Sequence, residues 1–389
     1  MSRSPARTRL ARAAVVTATT ALAGALGVGA APAAHATPPS HAAAGAVFVQ
    51  LNAADGNSVA AYDRAADGAL TKAATYPTGG KGGTAVGAPV DALASQAGLV
   101  LARRDATLLA VNAGSDTITS FAVSGSRLTR ASVVASGGSF PVSLAVRGSL
   151  VYVLNAGGTG SVSGFRLMGD VLKPIPDSTR SLGLDNATPP AFLSAPAQVG
   201  ISPDGKALVV TTKANGTIVG FGLDPAGRPS ATANVTASTG PVPFAFEWGP
   251  QRVLHVAQAG DGRLASYRIG TDGAATALGT SATSEQKALC WTVRVGRTVI
   301  GANPGSGTLS TWTLREGRTP GAVLTDAVAA SPGGAPIDLA AAGRFVYVQD
   351  AVGGLVRGYA LDGGRLTPIG TVTGLPTFDG GGMEGIAAY

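Results

Sequence analysis

The feature that most constrains this chain is a stretch that returns seven times. "LNAADGNSVAAY", "VNAGSDTITSF", "LNAGGTGSVSGF", "TKANGTIVGF", "AQAGDGRLASY", "ANPGSGTLSTW" and "QDAVGGLVRGY" each place a small or polar turn before a Val, Ile or Leu. Three residues after that aliphatic comes an aromatic: Tyr62, Phe121, Phe165, Phe221, Tyr267, Trp312 and Tyr359. A period in the 40s and 50s, carried by short alternating strands and Gly/Asn/Asp turns without helical periodicity, marks a radial array of β-sheets. The fold class is therefore all-β, a seven-bladed β-propeller of four-stranded antiparallel blades. Each blade must bury both faces against its neighbours, and the repeated aromatic is the wedge between them.

The strand before each copy is expected to be the innermost of its blade, along the central channel. Six such stretches precede hairpins, among them "SLAVRGSLVYVL" and "QVGISPDGKALVVT". A seventh, "GIAAY", ends the chain with no hairpin after it, whereas "AVFVQLN" from Ala46 starts a hairpin with no inner strand before it. Pairing of residues 385–389 with 46–51 closes the ring and removes an open edge. Two segments exceed the period, 76–96 and 181–196, and both are expected to be long rim loops.

The first 36 residues differ from the rest. Arg3, Arg7, Arg9 and Arg12 precede "AAVVTATTALAGALGVGAAPAA", and "AHA" at 34–36 is a small-x-small cleavage site. This predicts a secretory signal peptide over 1–36, a disordered tail over 37–45, a propeller over 46–389 and a secreted product cut after Ala36. A membrane anchor fits less well because the run is rich in Ala, Gly and Thr and weakly apolar. No later stretch is long and apolar enough to span a bilayer.

The leader holds four of the 29 basic and none of the 22 acidic residues, leaving the remainder near +3. With no basic run interleaved with aromatics, nucleic acid is not an expected partner. Cys290 is the single cysteine, which excludes an internal disulfide and leaves packing to supply stability. A monomer is expected.

At the level of motifs, "YPTGGKGG", "LLAVNAGSDTITSF", "PVSLAVRGSLVYVLNAGG", "QVGISPDGKALVV", "ALCWTV" and "PIDLAAAGRFVYV" resemble the lactonase-family seven-bladed propellers, the group of propeller-type 6-phosphogluconolactonases and carboxymuconate cyclases. The resemblance spans essentially all of 46–389. It implies a hydrolase that opens a lactone or cyclic ester, a carboxylic ester hydrolase, in the central channel. It also implies His and Arg in that channel, with a His just before the "SPDG" turn, where this chain has Gln198.

Gapless alignment of the inner strands puts Gly98, Ser143, Gln198, Phe244, Trp291, Asp338 and Gly385 at one level near one mouth. Asp338 and Glu384 are the candidate catalytic residues, since lactone opening needs a base for water, and desolvation beside Trp291 would raise a carboxylate's pKa. Gln198, Trp291, Phe244 and Ser143 are the candidate substrate-binding residues. Asp338 as an acceptor of backbone N–H groups at the strand start is the competing reading. His255, on the strand after the inner one, reads as a core histidine and Cys290 as a buried thiol.

No cofactor is expected. Two acidic groups and a Gln leave room for a divalent cation on oxygen ligands, but no spacing of metal ligands stands out. "GGKGGT" shares only its glycine content with a phosphate loop. Two functions of different class follow: a secreted lactonase acting on a small lactone, or a non-catalytic propeller presenting Trp291, Phe244 and the rim loops to a carbohydrate or protein partner.

Overall fold

The computed structural model describes residues 43–102 and 106–389. The expected leader and residues 37–42 of the expected tail lie outside the described residues. The first strand begins at Gly45, one residue before the boundary read from sequence, and the Ala44 N–H already donates to the Arg64 carbonyl at 2.7 Å.

The described strands form seven antiparallel sheets. Blade 1 is Leu99–Ala102, Thr107–Asn112, Thr117–Ser124 and Arg127–Ala135. Blade 2 is Pro141–Arg147, Leu150–Asn155, Ser161–Met168 and Val171–Pro174, with Arg180–Ser181 added to its third strand. Blade 3 is Pro196–Ile201, Ala207–Thr212, Thr217–Gly222 and Asn234–Ala237. Blade 4 is Pro243–Trp248, Val253–Gln258, Arg263–Ile269 and Ala275–Thr280. Blade 5 is Trp291–Val295, Thr298–Asn303, Thr308–Arg315 and Gly321–Ala330, and blade 6 is Pro336–Ala342, Phe345–Asp350, Leu355–Asp362 and Arg365–Val372. The closing blade joins Ile386–Ala388 to Gly45–Gln50, Ser58–Arg64 and Leu70–Pro77. The first strand of each is the inner one, and these seven contact each other in ring order.

The repeated motif has a local cause. Its polar residue ends the second strand and fastens the turn: Asn112 Nδ2 donates to the Thr117 and Thr119 hydroxyls, and Asn303 Nδ2 to those of Thr308 and Ser310. The aromatic follows on the third strand, and all seven aromatics are buried. In five blades the pairing with the outer strand skips a residue at or beside the aromatic, as at Ala61/Tyr62 and Ser120/Phe121. Such a bulge increases the local twist, so the outer strand turns away while the wedge stays inside. The apolar clusters accordingly straddle blades: Phe121 packs with Phe48 and Ala61 of the closing blade, and Tyr62 with Tyr347 and Phe345 of blade 6.

Closure follows the expected pairing. Val47, Phe48 and Val49 face Ala388, Ala387 and Ile386, the Tyr389 N–H donates to the Ala46 carbonyl at 3.1 Å, and Arg64 Nε holds the Tyr389 carbonyl at 2.9 Å. Deleting residues 385–389 removes this inner strand and bares two edges. The truncated protein should melt about 10 °C or more below the full chain and aggregate on heating. A midpoint within about 2 °C of the full chain would contradict closure by this strand.

Candidate functional site

The channel of the described propeller is not open along its length. Residues 91–96, expected on the rim as part of the 76–96 loop, lie with Ala97 inside the ring of inner strands. Ser95 Oγ donates to the Val142 carbonyl of blade 2 at 2.8 Å, and the Gln96 N–H to Ala197 of blade 3 at 3.0 Å. The Gln96 side chain pairs with both backbone groups of Thr292 in blade 5, and Trp291 Nε1 donates to the Ser95 carbonyl at 2.8 Å. "DALASQ" can thread the axis because Ala92, Leu93 and Ala94 are small or apolar and each of its polar side chains, Asp91, Ser95 and Gln96, finds a hydrogen-bond partner there. Ala94 and Ala97 take positive φ of 59° and 68°, a conformation costing about 1 to 3 kcal/mol each that these bonds hold in place.

This axial segment carries Asp91, whose carboxylate accepts N–H groups from Leu93 at 3.3 Å and Ser95 at 2.9 Å. Glu384, just before the closing strand, accepts the same Leu93 N–H at 2.8 Å and is hydrogen bonded to Asp91. Two carboxyl groups can share a hydrogen bond when one keeps its proton. Burial, then the Asp91 charge, push Glu384 well above the usual carboxylate range, so the pair keeps a proton. Asp91 is also raised, by burial, against the pull of Glu384 and Lys213.

Asp338 lies close by. It accepts the Leu339 N–H at 2.8 Å and those of Ala97 and Ile386, tying blade 6 to the axial segment and the closing strand. Burial nevertheless raises its pKa to about 7. Glu247, half-buried on the inner strand of blade 4, is raised to about 8 by burial despite Arg294.

Lys213 completes the group. It is buried, its Nζ donates to the Ala94 carbonyl at 2.5 Å, and it stands 5.2 Å from the ring centres of both Phe192 and Phe244. Burial lowers its pKa to about 7 against the attraction of Asp91. Lys213, Phe192, Phe244, Cys290 and Trp291 line a pocket of about 310 Å³ at this mouth, walled almost wholly by apolar groups. The two long segments meet beside it, where Val86 bridges Ala191.

The six residues singled out from sequence fall into three places. Trp291 and Phe244 meet edge to face, 5.1 Å between centres, in the pocket wall. Asp338 and Glu384 are buried behind the axial segment and do not line it. Gln198 exchanges hydrogen bonds with the Phe246 backbone at 2.7 and 3.3 Å, and Ser143 Oγ accepts the Val199 N–H at 3.2 Å. Both therefore stitch one inner strand to the next. His255 is buried with Nδ1 on Ser266 Oγ at 2.9 Å, and burial lowers its pKa to about 4. Burial pushes the Cys290 thiol up, away from the reactive thiolate.

Sequence reasoning missed Asp91, Lys213 and Glu247. A signal existed for Lys213: at its place in the repeat, just after the second strand, the other six copies have Ala53, Ala113, Ala156, Ala259, Pro304 and Ala351. Among the described residues no group of three or more His, Cys, Asp or Glu side chains is placed to hold a metal ion, and no helix is long and apolar enough to cross a membrane.

An array of seven such blades closed by its own C-terminal strand defines a seven-bladed propeller. Residues 55–169, from the closing blade through the axial segment to blade 2, match the family model described as lactonase, 7-bladed beta-propeller, so the chain resembles that family in this stretch of sequence. Solved structures agree in fold. The periplasmic gluconolactonase of Pseudomonas aeruginosa is 19% identical, with 85% of this chain and 98% of that one covered at a TM-score of 0.62. A protein from Lactobacillus plantarum is 18% identical, with 88% and 98% covered at 0.64. A Bacteroides fragilis protein provisionally described as a 6-phosphogluconolactonase is 15% identical, with 91% and 100% covered at 0.64. No curated protein matches by sequence.

The buried groups fix a pH dependence of stability. Asp338, Glu247 and Glu384 hold protons in the folded chain at pH values where the unfolded chain has released them, so their contribution is full at low pH and is lost as pH rises through their folded pKa values. Asp91, also raised, acts in the same direction, whereas His255 acts oppositely between about 4 and 6.5 and Lys213 above about 7, two groups against four. The melting temperature should therefore be higher at pH 5.5 than at pH 8, and Asp338→Asn should flatten the profile below pH 7. Equal melting at both pH values would contradict the protonated cluster.

Proposed function

We propose that the protein is a lactonase-type hydrolase whose substrate, an apolar lactone or cyclic ester, enters the pocket between Phe192, Phe244 and Trp291, with Lys213 as the base. The observation that carries this reading is a lysine where six other repeats have Ala or Pro, at the floor of an apolar pocket, with its pKa brought to about 7. A base works best with a pKa near the operating pH.

In this mechanism neutral Nζ takes a proton from water as the water oxygen adds to the ester carbonyl. The resulting ammonium gives that proton to the ring oxygen as the acyl–oxygen bond breaks, releasing the hydroxy acid. Phe244 and Trp291 orient the ring by contact. Asp338 and Glu384, proposed from sequence as the catalytic carboxylates, act through Asp91, whose charge opposes the loss of the lysine's proton. Gln198 and Ser143 hold the inner strands that carry the pocket wall. A phosphorylated lactone suits the pocket poorly, because Lys213 is the one cation in its lining. Export of the protein rests on the leader composition at 1–36.

A second reading is a non-catalytic propeller that binds an apolar ligand or side chain here. What favours it is the hydrogen bond already committed by Lys213 Nζ to Ala94, together with a wall that offers almost no polar surface.

A panel of aliphatic and aromatic lactones tests both. The wild type should turn over at least one, with a rate that rises through a midpoint near pH 7, and Lys213→Met should lower the rate about 100-fold or more while the chain stays folded. Undiminished hydrolysis by folded Lys213→Met removes the lysine from the mechanism. Quenching of Trp291 by lactones without turnover supports the binding propeller.

A further inference from the structure

The face opposite the Lys213 mouth carries a second pocket, of about 420 Å³, on the seam between blades 2 and 3. Its walls are the turn after the inner strand of each blade, Arg166 of blade 2, the 223–227 turn of blade 3 and Thr271 of blade 4. Arg147 and Arg166 reach across the seam from blade 2. Arg147 Nε donates to the Pro203 carbonyl at 2.7 Å and Arg166 Nη2 to Ala226 at 2.8 Å, so each guanidinium is fixed in direction with several N–H groups left over. Gly205 and Gly227, at φ of 75° and 79°, make room for them: a Cβ there would come within 3.0 Å of Arg147 Nη1 and 3.2 Å of Arg166 Nη2.

The two carboxylates in the lining have cations of their own. Asp204 pairs with Arg252 at 2.7 Å and Asp224 with Arg228 at 3.4 Å. No ion pair to Arg147, Arg166 or Lys206 occurs among the described residues. Neutral carbonyls thus position two guanidiniums that have no ion-pair partner among the described residues, and Lys206 adds a third positive charge at the rim. Leu150 and Leu223 also line the pocket.

We propose that this pocket binds a sugar acid, a polyhydroxy carboxylate either free or as a uronate unit of a polysaccharide. A carboxylate completes a pre-oriented guanidinium through paired charge-assisted hydrogen bonds. The spare lone pairs of Asp204 and Asp224 accept hydroxyls, and the leucines take the C–H face of the ring. The volume suits a ligand of this size. A role as seam staples alone would explain the bonds to Pro203 and Ala226 but not the convergence on one cavity of three cations that form no ion pair among the described residues.

Isothermal titration of the full chain with D-glucuronate and D-gluconate tests the site, with glucose and acetate as controls lacking the carboxylate or the hydroxyls. The sugar acids should bind with a dissociation constant of about 1 mM or tighter, and each control at least about 10-fold more weakly. Arg166→Gln and Arg147→Gln should each weaken binding by about 10-fold or more. Lys206→Gln, an exposed change that spares the seam, should weaken it by a smaller factor. Polygalacturonate binding that the same variants abolish identifies the polymer as the source, and binding of monomers alone identifies the free acid. Lys213→Met should leave these affinities unchanged, which separates this site from the lactone pocket. No binding of either sugar acid, equal binding of glucose, or unchanged affinity in folded Arg166→Gln would overturn the proposal.

Discussion

The hydrogen bond between Asp91 and Glu384 is the constraint on which the centre of this propeller depends. Seven inner strands arranged around an axis leave a space that must be filled with water or with chain. Here it is filled by residues 91–97, whose backbone and side-chain groups bond to blades 2, 3 and 5 and whose first residue is fastened to the closing strand through Glu384. One carboxyl group of the pair must keep its proton, since two adjacent charges without water would repel strongly. The chain thus fastens its last strand and its axial segment with one shared proton. Asp338 adds a second fastening, from blade 6 to Ala97 and Ile386.

Filling the axis moves the chemistry. With the carboxylates enclosed, an accessible cavity at that end is the apolar pocket above the segment, and the basic group in its wall is Lys213. The charge on Asp91 reaches Lys213 from behind, while Phe192 and Phe244 face it from in front. A cation held between a carboxylate and two aromatic faces keeps its place without solvent. Its pKa is set by how nearly these attractions offset the cost of burial.

The blade repeat was legible because each copy solves the same local problem: a polar residue closes the turn, and an aromatic fills the gap to the next blade. Closure was legible because the two termini hold complementary pieces of one blade. The axial segment was not, since "DALASQ" has no period, and its partners include backbone groups of a strand 196 residues away. The alignment that placed Ser143, Gln198 and Asp338 at one level located a ring of side chains that bond to the neighbouring inner strand or its backbone. Reach to the next strand looks the same in sequence as reach into a channel. Lys213 could have been found by asking which copy departs from the small residue after its second strand.

The closed axis, and the place of Lys213 above it, require residues 91–97 to lie inside the ring of inner strands. Hydrogen–deuterium exchange resolved to this peptide measures it directly. The amides of Leu93, Ser95 and Gln96, bonded to Glu384, Asp91 and Ala197, should be protected to the same degree as the inner strands of blades 2 and 3 and lose protection only with global unfolding. Exchange as fast as that of the exposed hairpin turn at 125–127 would contradict an axial segment and return 91–97 to the rim.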